Sequence, residues 1–443
     1  MIRDHPKTQR YIIMSTNVQP VIFTGVDWGS QSHCVCLVDA AGTVLGETSF
    51  PHSGDGLHEM LDWILARAGC DAACIAVAIE VPHGPIVDML MERGFSVFAI
   101  NPKQLDRFRD RFSPVGAKDD RRDARVLADA VRTDPQCLRN LDPVDPWTIQ
   151  LRECSRMAEE LTMQRTRMTH QVRTQLWRYF PQFLALGFPL YSAVFQALWM
   201  LIPTPSRARR VRLTSVEKVL KRHRIRRIRA KEVLAILKTT PLNVADGVQE
   251  AIVANLRLQQ LALIESQLQE SERAMETILE TMATTSISTS EPTDSEPTEM
   301  ASDPIPPESV PCDVDILRSL PGVGTKVLAI VLSEASGLIK DRDHQGLRAF
   351  CGVAPVTRQS GKSRQVVRRK ACLRRLANAT YHWSRVAIQH DPVSKAKYDA
   401  LRDRGHTHGR ALRSVADRLL AVACAMLRDQ TLYDPSRQSV ATA

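Results

Sequence analysis

The chain has 443 residues, a formal net charge of +10, 44% hydrophobic residues and only 5% aromatics. That length exceeds one ordinary core and predicts two or three domains with mainly aliphatic interiors. The positive balance favours a polyanionic partner, and the absence of any run of about 18 apolar residues excludes a spanning helix, so no membrane partner is expected. The N-terminal residues lack the apolar h-region of a signal peptide, which predicts a cytoplasmic protein. Ten cysteines without a CxxC pair and twelve histidines without ligand spacing argue against zinc and for reduced thiols.

Residues 1–20 read as a disordered extension. Residues 21–50 read as two strands and a turn: VIFTGVDWGS opens apolar, HCVCLVDAAG alternates, and its AAG turns before TVLGETSF. A helix follows at GLHEMLDWILARAG, then the buried strand ACIAVAIE ending on Glu80, the helix PIVDMLMERG and the strand FSVFAINP. Strands alternating with amphipathic helices predict an α/β domain with a mixed sheet over 21–146. Its last part, KQLDRFRDRFSPVGAKDDRRDARVLADAVRTD, is basic, with helical spacing in its second half.

From about 147 the pattern is wholly helical. Residues 147–180 are long enough for a coiled-coil arm, and 256–282 read as its antiparallel mate, giving a helical region over 147–282. Between them lies a basic insert at 203–231, with twelve Lys/Arg and one acid, Glu217. A solvated helix face is one reading of that tract; nucleic acid is favoured, because the tract lacks counter-charges of its own. Residues 283–311 hold six acids, six prolines and no base, the composition of a disordered linker. A mainly α C-terminal domain is expected at 312–430 and a disordered tail at 431–443.

Four acids form the first candidate site. Asp27 lies at the end of an apolar strand, Glu80 closes a second, and Asp120 and Asp123 stand three apart at a helix start, on one face. Burying strand-borne carboxylates is costly unless something neutralises them. Hard oxygen donors suit Mg²⁺ or Mn²⁺, and two such ions about 3.5–4 Å apart can serve phosphodiester chemistry. The structural alternatives are a turn former at Asp27 and favourable N-terminal charge at DDRRD. Asp119 competes with Asp120 for the third position; Asp120 has the better one-face geometry with Asp123.

The C-terminal domain holds the second candidate site. LRSLPGVGTKVLAIVLSEA has the form of a helix-hairpin-helix, in which Gly322, Gly324 and Lys326 would approach a nucleic-acid backbone; an ordinary glycine turn is the alternative. Further on, residues 358–375 carry eight Lys/Arg and no acid, including Arg358, Lys362, Arg364, Arg368 and Arg369. Ser360 sits in a Gln-Ser-Gly-Lys turn within this run, and composition alone makes it a turn residue.

The order GVDWGS, AIEVPHG, INPKQLDRFRDRFSPVGAKDDRRDARVLADAVRTD and GVAPVTRQSGKS resembles the DEDD-type insertion-sequence transposases. The resemblance covers most of the chain and implies a RuvC-like (RNase H-like) N-terminal domain whose four acids are Asp27, Glu80, Asp120 and Asp123. Many members have Thr before the third acid, where this chain has Asp119. It also implies that Ser360 is the catalytic nucleophile, with DNA element ends and target as substrates. A structured guide RNA and assembly as a dimer to tetramer are implied too, in a prokaryotic protein that joins the nucleoid when acting. A RuvC-like nuclease of the Holliday-junction resolvase type would share the acids without needing Ser360. A non-catalytic nucleic-acid-binding scaffold would need neither.

Overall fold

The computed structural model describes residues 20–112, 119–141, 145–245, 247–254, 257–288, 310–361 and 363–436. The expected extension, apart from Pro20, lies outside these residues, as do most of the linker and the end of the tail. The chain divides into two compact units, 1–143 and 144–443.

In the first unit, β1 (Ile22–Trp28), β2 (Ser32–Asp39) and β3 (Val44–Pro51) form an antiparallel meander. These are three strands rather than the expected two. The extra reversal falls at Gly29, whose N–H donates to the Ser32 carbonyl at 3.1 Å. Helix α1 (Gly54–Ala68) follows, capped by Ser53, whose hydroxyl accepts from Gly56 N–H at 3.1 Å. Then come β4 (Ile75–Ile79), α2 (Pro85–Glu92), β5 (Ser96–Ala99), α3 (Pro102–Phe112), α4 (Asp120–Thr133) and the short edge strand β6 (Arg139–Leu141). The sheet order is β3-β2-β1-β4-β5-β6, with β4 parallel to β1 and β5 parallel to β4. The mixed α/β sheet expected from the strand–helix alternation is what forms.

The two faces of the sheet differ in side-chain size. Ile22, Val26, Ile75, Val77, Ile79 and Val97 pack with Leu57, Leu61 and Ile64 of α1 and with Ile86 and Leu90 of α2. On the other face β4 presents only Ala76 and Ala78, which lie against Leu105 of α3 and Val126, Leu127 and Ala130 of α4. Small residues there let α4 lie close to the strands.

The second unit is mostly helical. It begins with α5 (Pro146–Tyr179) and continues through α6 (Ala193–Leu201), α7 (Pro205–Arg210), α8 (Leu213–Arg222), α9 (Ala230–Leu237) and α10 (Val248–Ala254). Next is α11 (Arg257–Ser288), antiparallel to α5, with Arg165 paired to Glu265 at 3.1 Å and Arg257 bonded to Gln171. Helix α11 runs six residues into the stretch expected as linker. Beyond the undescribed segment come α12 (Asp313–Ser319), α13 (Thr325–Glu334), α14 (Ser336–Lys340) and α15 (His344–Phe350).

The expectation of helix throughout fails at β7 (Val356–Ser360) and β8 (Ser363–Val367), an antiparallel hairpin. Its alternating Val, Thr, Arg and Gln residues favour strand over helix. Helices α16 (Arg374–His390), α17 (Pro392–Asp403) and α18 (His408–Asp429) close the unit. Part of the expected tail is ordered by contact, since Tyr433 N–H donates to Ser319 Oγ at 2.9 Å. Nor does packing break between arm and C-terminal domain. Leu151, Ala158 and Leu161 of α5 and Leu268 and Leu279 of α11 share one core with Leu317, Leu328, Trp383 and Leu419. The basic insert builds a second core, in which Ala208, Val216 and Leu220 are buried with Phe183, Phe195 and Leu234.

Candidate functional site

Strand register brings two of the first unit's acids side by side. Val26 of β1 is opposite Ile79 of β4, so Asp27 and Glu80 follow one another's neighbours at the carboxyl ends of adjacent parallel strands. In open α/β sheets that end is where ligand crevices lie. Alternation places Asp27 on the face of Gly25, and Gly25 lies directly under α4. A Cβ added at Gly25 would stand 1.9 Å from the Ala124 carbonyl oxygen and 2.5 Å from Ala128 N. Glu80 is likewise two residues past Ala78, which packs beneath α4. The strand acids therefore lie beside the N-terminal turn of α4, which carries the other two.

Asp119 caps that turn. Its backbone is extended, and its carboxylate accepts from Arg121 N–H at 3.4 Å. Asp120, the first helical residue, is exposed, whereas Asp123 is 1% exposed. Arg109 of α3 holds Asp123 on both oxygens: Nε donates to Oδ1 at 2.6 Å and Nη2 to Oδ2 at 2.7 Å. The third arm of the same guanidinium donates to Asp106 at 2.5 Å. The hydrogen bonds to Asp123 push the Arg109 pKa up; burial opposes this, and the charges of Asp123, Asp106 and Glu80 reinforce it. Arg109 thus supplies the positive charge that a buried carboxylate requires.

The carboxylates are the right donors in kind for Mg²⁺ or Mn²⁺, but not in arrangement. Among the described residues no three His, Cys, Asp or Glu side chains are grouped to hold an ion. Both Asp123 oxygens are engaged by Arg109 instead. Zinc has no grouped ligands among the described residues either. Sequence reasoning missed Gly25 and Arg109. The available signal for Arg109 was its spacing of four from Leu105, the buried residue of α3, which puts both on one helix face.

In the second unit, Ser360 ends β7 opposite Ser363, on an exposed hairpin turned by Gly361 at φ +54°. Arg358, Arg364 and Arg368 are exposed on or beside it, and Arg369 Nε donates to the Ala354 carbonyl at 3.3 Å. Lys362 lies outside the described residues. Burial, together with the neighbouring guanidiniums of Arg368 and Arg410, lowers the Arg413 pKa, so cations crowd one another here. Gly322 has φ +82°, and a Cβ on it would meet Ala387 N at 2.7 Å; the absent side chain lets α16 approach. Gly324 faces open space, and Lys326 pairs with Glu272 at 2.6 Å. A groove of about 480 Å³ is lined by Gly322, Gly324, Lys326, Glu272, His382 and Val386.

Residues 24–181 match a transposase family model of the DEDD, IS110 type, and residues 314–399 match the model described as "Transposase IS116/IS110/IS902 family". The class is that of the insertion-sequence transposases. Within it, the chain belongs to the IS110 family of DEDD transposases. It is 54% identical over 209 residues to y4uE of Sinorhizobium fredii, a protein provisionally named a transposase; the match takes in 47% of this chain and 58% of y4uE. It is 28% identical over 422 residues to a protein provisionally named the mini-circle transposase for IS117 of Streptomyces coelicolor, covering 94% of this chain and 96% of that one. It is 36% identical over 129 residues to the uncharacterized 42 kDa protein of insertion element IS900 of Mycobacterium paratuberculosis, covering 29% of this chain and 32% of that protein. Among the described residues no helix is long and apolar enough to cross a membrane.

Proposed function

We propose that this chain cuts and rejoins DNA strands as the transposase of an insertion sequence. Asp27, Glu80, Asp120 and Asp123 form its acidic centre, and Ser360 is its nucleophile. The observation that supports the reading is the register of β1 and β4, which sets Asp27 and Glu80 side by side, together with the close pass of α4 over Gly25. The sheet order supports a RuvC-like assignment of the first unit. The capping role of Asp119 supports Asp120 as the third member of the set.

The four carboxylates would have to converge before they could hold Mg²⁺ or Mn²⁺, ions that when bound activate oxygen nucleophiles and stabilise a departing oxygen. The chain's own residues have separate tasks. Ser360 Oγ forms a bond to phosphorus as the bond from phosphorus to the leaving oxygen breaks, which gives a phosphoserine linkage and a free DNA end. Rejoining reverses these steps on a new end. The hairpin sequence 356–370 contains no acid and no histidine, so the proton of Oγ passes to a group outside it. Arg358, Arg364 and Arg368 place positive charge where the phosphorus oxygens gain negative charge. The crowding of Arg368, Arg410 and Arg413 supports polyanion binding, because a phosphate relieves repulsion between them.

The family resemblance adds a structured guide RNA, assembly from dimer to tetramer, and action at the nucleoid in the cytoplasm. The exposed cations of the hairpin fit an RNA or a DNA backbone.

The test uses the full chain with DNA carrying an element end. Ser360→Ala is expected to abolish joining and the denaturant-resistant protein–DNA adduct, and Glu80→Gln to lower cleavage by a factor on the order of 10³ or more. An alanine protein that still cuts and joins at the wild-type rate would overturn the serine assignment. A fully active Glu80→Gln protein would overturn the acidic centre.

A further inference from the structure

We infer that the face of α5 around Trp177, with the groove beside it, binds an unpaired strand of nucleic acid. Its bases stack on the Trp177 ring and its phosphates lie along Arg173, Arg178 and Arg257. This surface extends the reading proposed above but depends on neither Ser360 nor the acidic centre. Trp177 is 67% exposed, while its neighbours Val172, Leu176 and Tyr179 are buried in the second core of the unit. A ring of that size left in water forgoes a large hydrophobic gain that a stacked base would restore.

The charge around the ring has one sign. Residues 161–216 contain eight arginines and no acid. Arg173 and Arg178 are both exposed, four residues before Trp177 and one after it. Beside them a groove of about 540 Å³ lies between α5 and the adjoining ends of α10 and α11. It is lined chiefly by His170, Gln171, Thr174, Gln175, Arg178 and Arg257, and no acid is among the described lining residues. Arg257 donates to Gln171, which holds the guanidinium of α11 against α5. Thr174 and Trp177 are three apart, so the ring stands at the rim of the groove.

These features favour an unpaired strand over a duplex. A duplex keeps its base faces stacked inside, whereas a single strand offers them to exposed aromatic rings. The amides of Gln171 and Gln175 and the imidazole of His170 suit base edges that pairing would otherwise occupy. A second copy of the chain meeting this face with its own would set arginine against arginine, with no acid to answer them.

The test uses the full chain in a Ser360→Ala background, so that binding is read without strand cutting. Labelled single strands of about 12 nucleotides, in RNA and DNA forms, are titrated alongside a duplex of the same length. Trp177→Leu is expected to weaken single-strand binding about tenfold and to leave duplex binding and the melting temperature unchanged. Single strands should quench the tryptophan fluorescence of the parent protein, and the Leu variant should lose that part of the quench. Trp177→Phe, which keeps a stacking face, should retain most of the affinity. Arg178→Gln should lower the slope of log affinity against log salt by about 0.7, the share of one phosphate. A larger Trp177→Leu effect on RNA than on DNA identifies the strand as RNA, and the reverse identifies it as DNA. Equal losses for duplex and single strand overturn the stacking site. So does a Leu variant with unchanged affinity and quench; if it also sediments as a smaller species, the face is an interface between copies instead.

Discussion

Gly25 sets how close α4 comes to the sheet, because any side chain there would occupy the space of the Ala124 carbonyl and the Ala128 amide. Both are backbone atoms of a helix and cannot swing aside. Gly25→Ala is expected to lift α4 and destabilise the first unit by about 1–3 kcal/mol, toward the upper end of that range. The loss of strand joining should exceed the loss of stability, since Asp120 and Asp123 move with α4. Denaturant unfolding and a joining assay on the same preparation check both parts. A folded variant with unchanged joining would mean that the α4 acids tolerate displacement.

At the scale of elements, the turn between α12 and α13 separates two roles that sequence could not. Gly322 stands against the backbone of α16 with φ +82°, so Gly322→Ala meets a clash and a conformation alanine rarely adopts. Its expected effect is a loss of about 1–3 kcal/mol from the second unit. Gly324 has an ordinary φ and open space, so Gly324→Ala is expected to leave stability within about 0.5 kcal/mol of wild type. If the turn contacts a nucleic-acid backbone, Gly324→Ala weakens DNA binding without moving the melting temperature. Binding unchanged in Gly324→Ala would make the turn purely structural. The glycine spacing in PGVG was legible in the sequence, but which glycine packs and which faces outward was not.

At the scale of the molecule, three helices of the second unit are tied by one ion cluster. Glu334 of α13 accepts from Arg156 of α5 at 3.1 Å and from Arg375 of α16, whose Nε also donates to Glu159 at 2.5 Å. Burial alone would push the Glu334 carboxyl up, yet Arg156 and Arg375 hold it below the ordinary glutamate range. A depressed carboxyl contributes stability that is complete above its unfolded value and lost as pH falls through the folded one. Melting temperature should therefore drop more steeply in acid for wild type than for Glu334→Gln, the two curves running parallel near neutral pH. At neutral pH the Gln protein should be less stable by about 1–3 kcal/mol, since two guanidiniums lose their shared partner. Parallel curves throughout would mean that the cluster does not titrate with folding.

The amino-acid sequence by itself determined the alternation of helices and strands from α1 to β5, the helix α4, and the long helix at 146–179 with its distant mate. It could do so because periodicity and residue type report which face of an element is buried. It did not determine what covers that face. Only the tertiary structure decided that β4 lies beside β1, that Gly25 rather than a larger residue admits α4, and that Arg109 grips Asp123. Only there, too, do arm and C-terminal helices share a core. Each depends on residues brought together from well apart in the chain, and burial patterns are the same whichever partner does the covering. The hairpin bearing Ser360 escaped for a related reason: its strands are exposed on nearly every residue, so no hydrophobic pattern marked them.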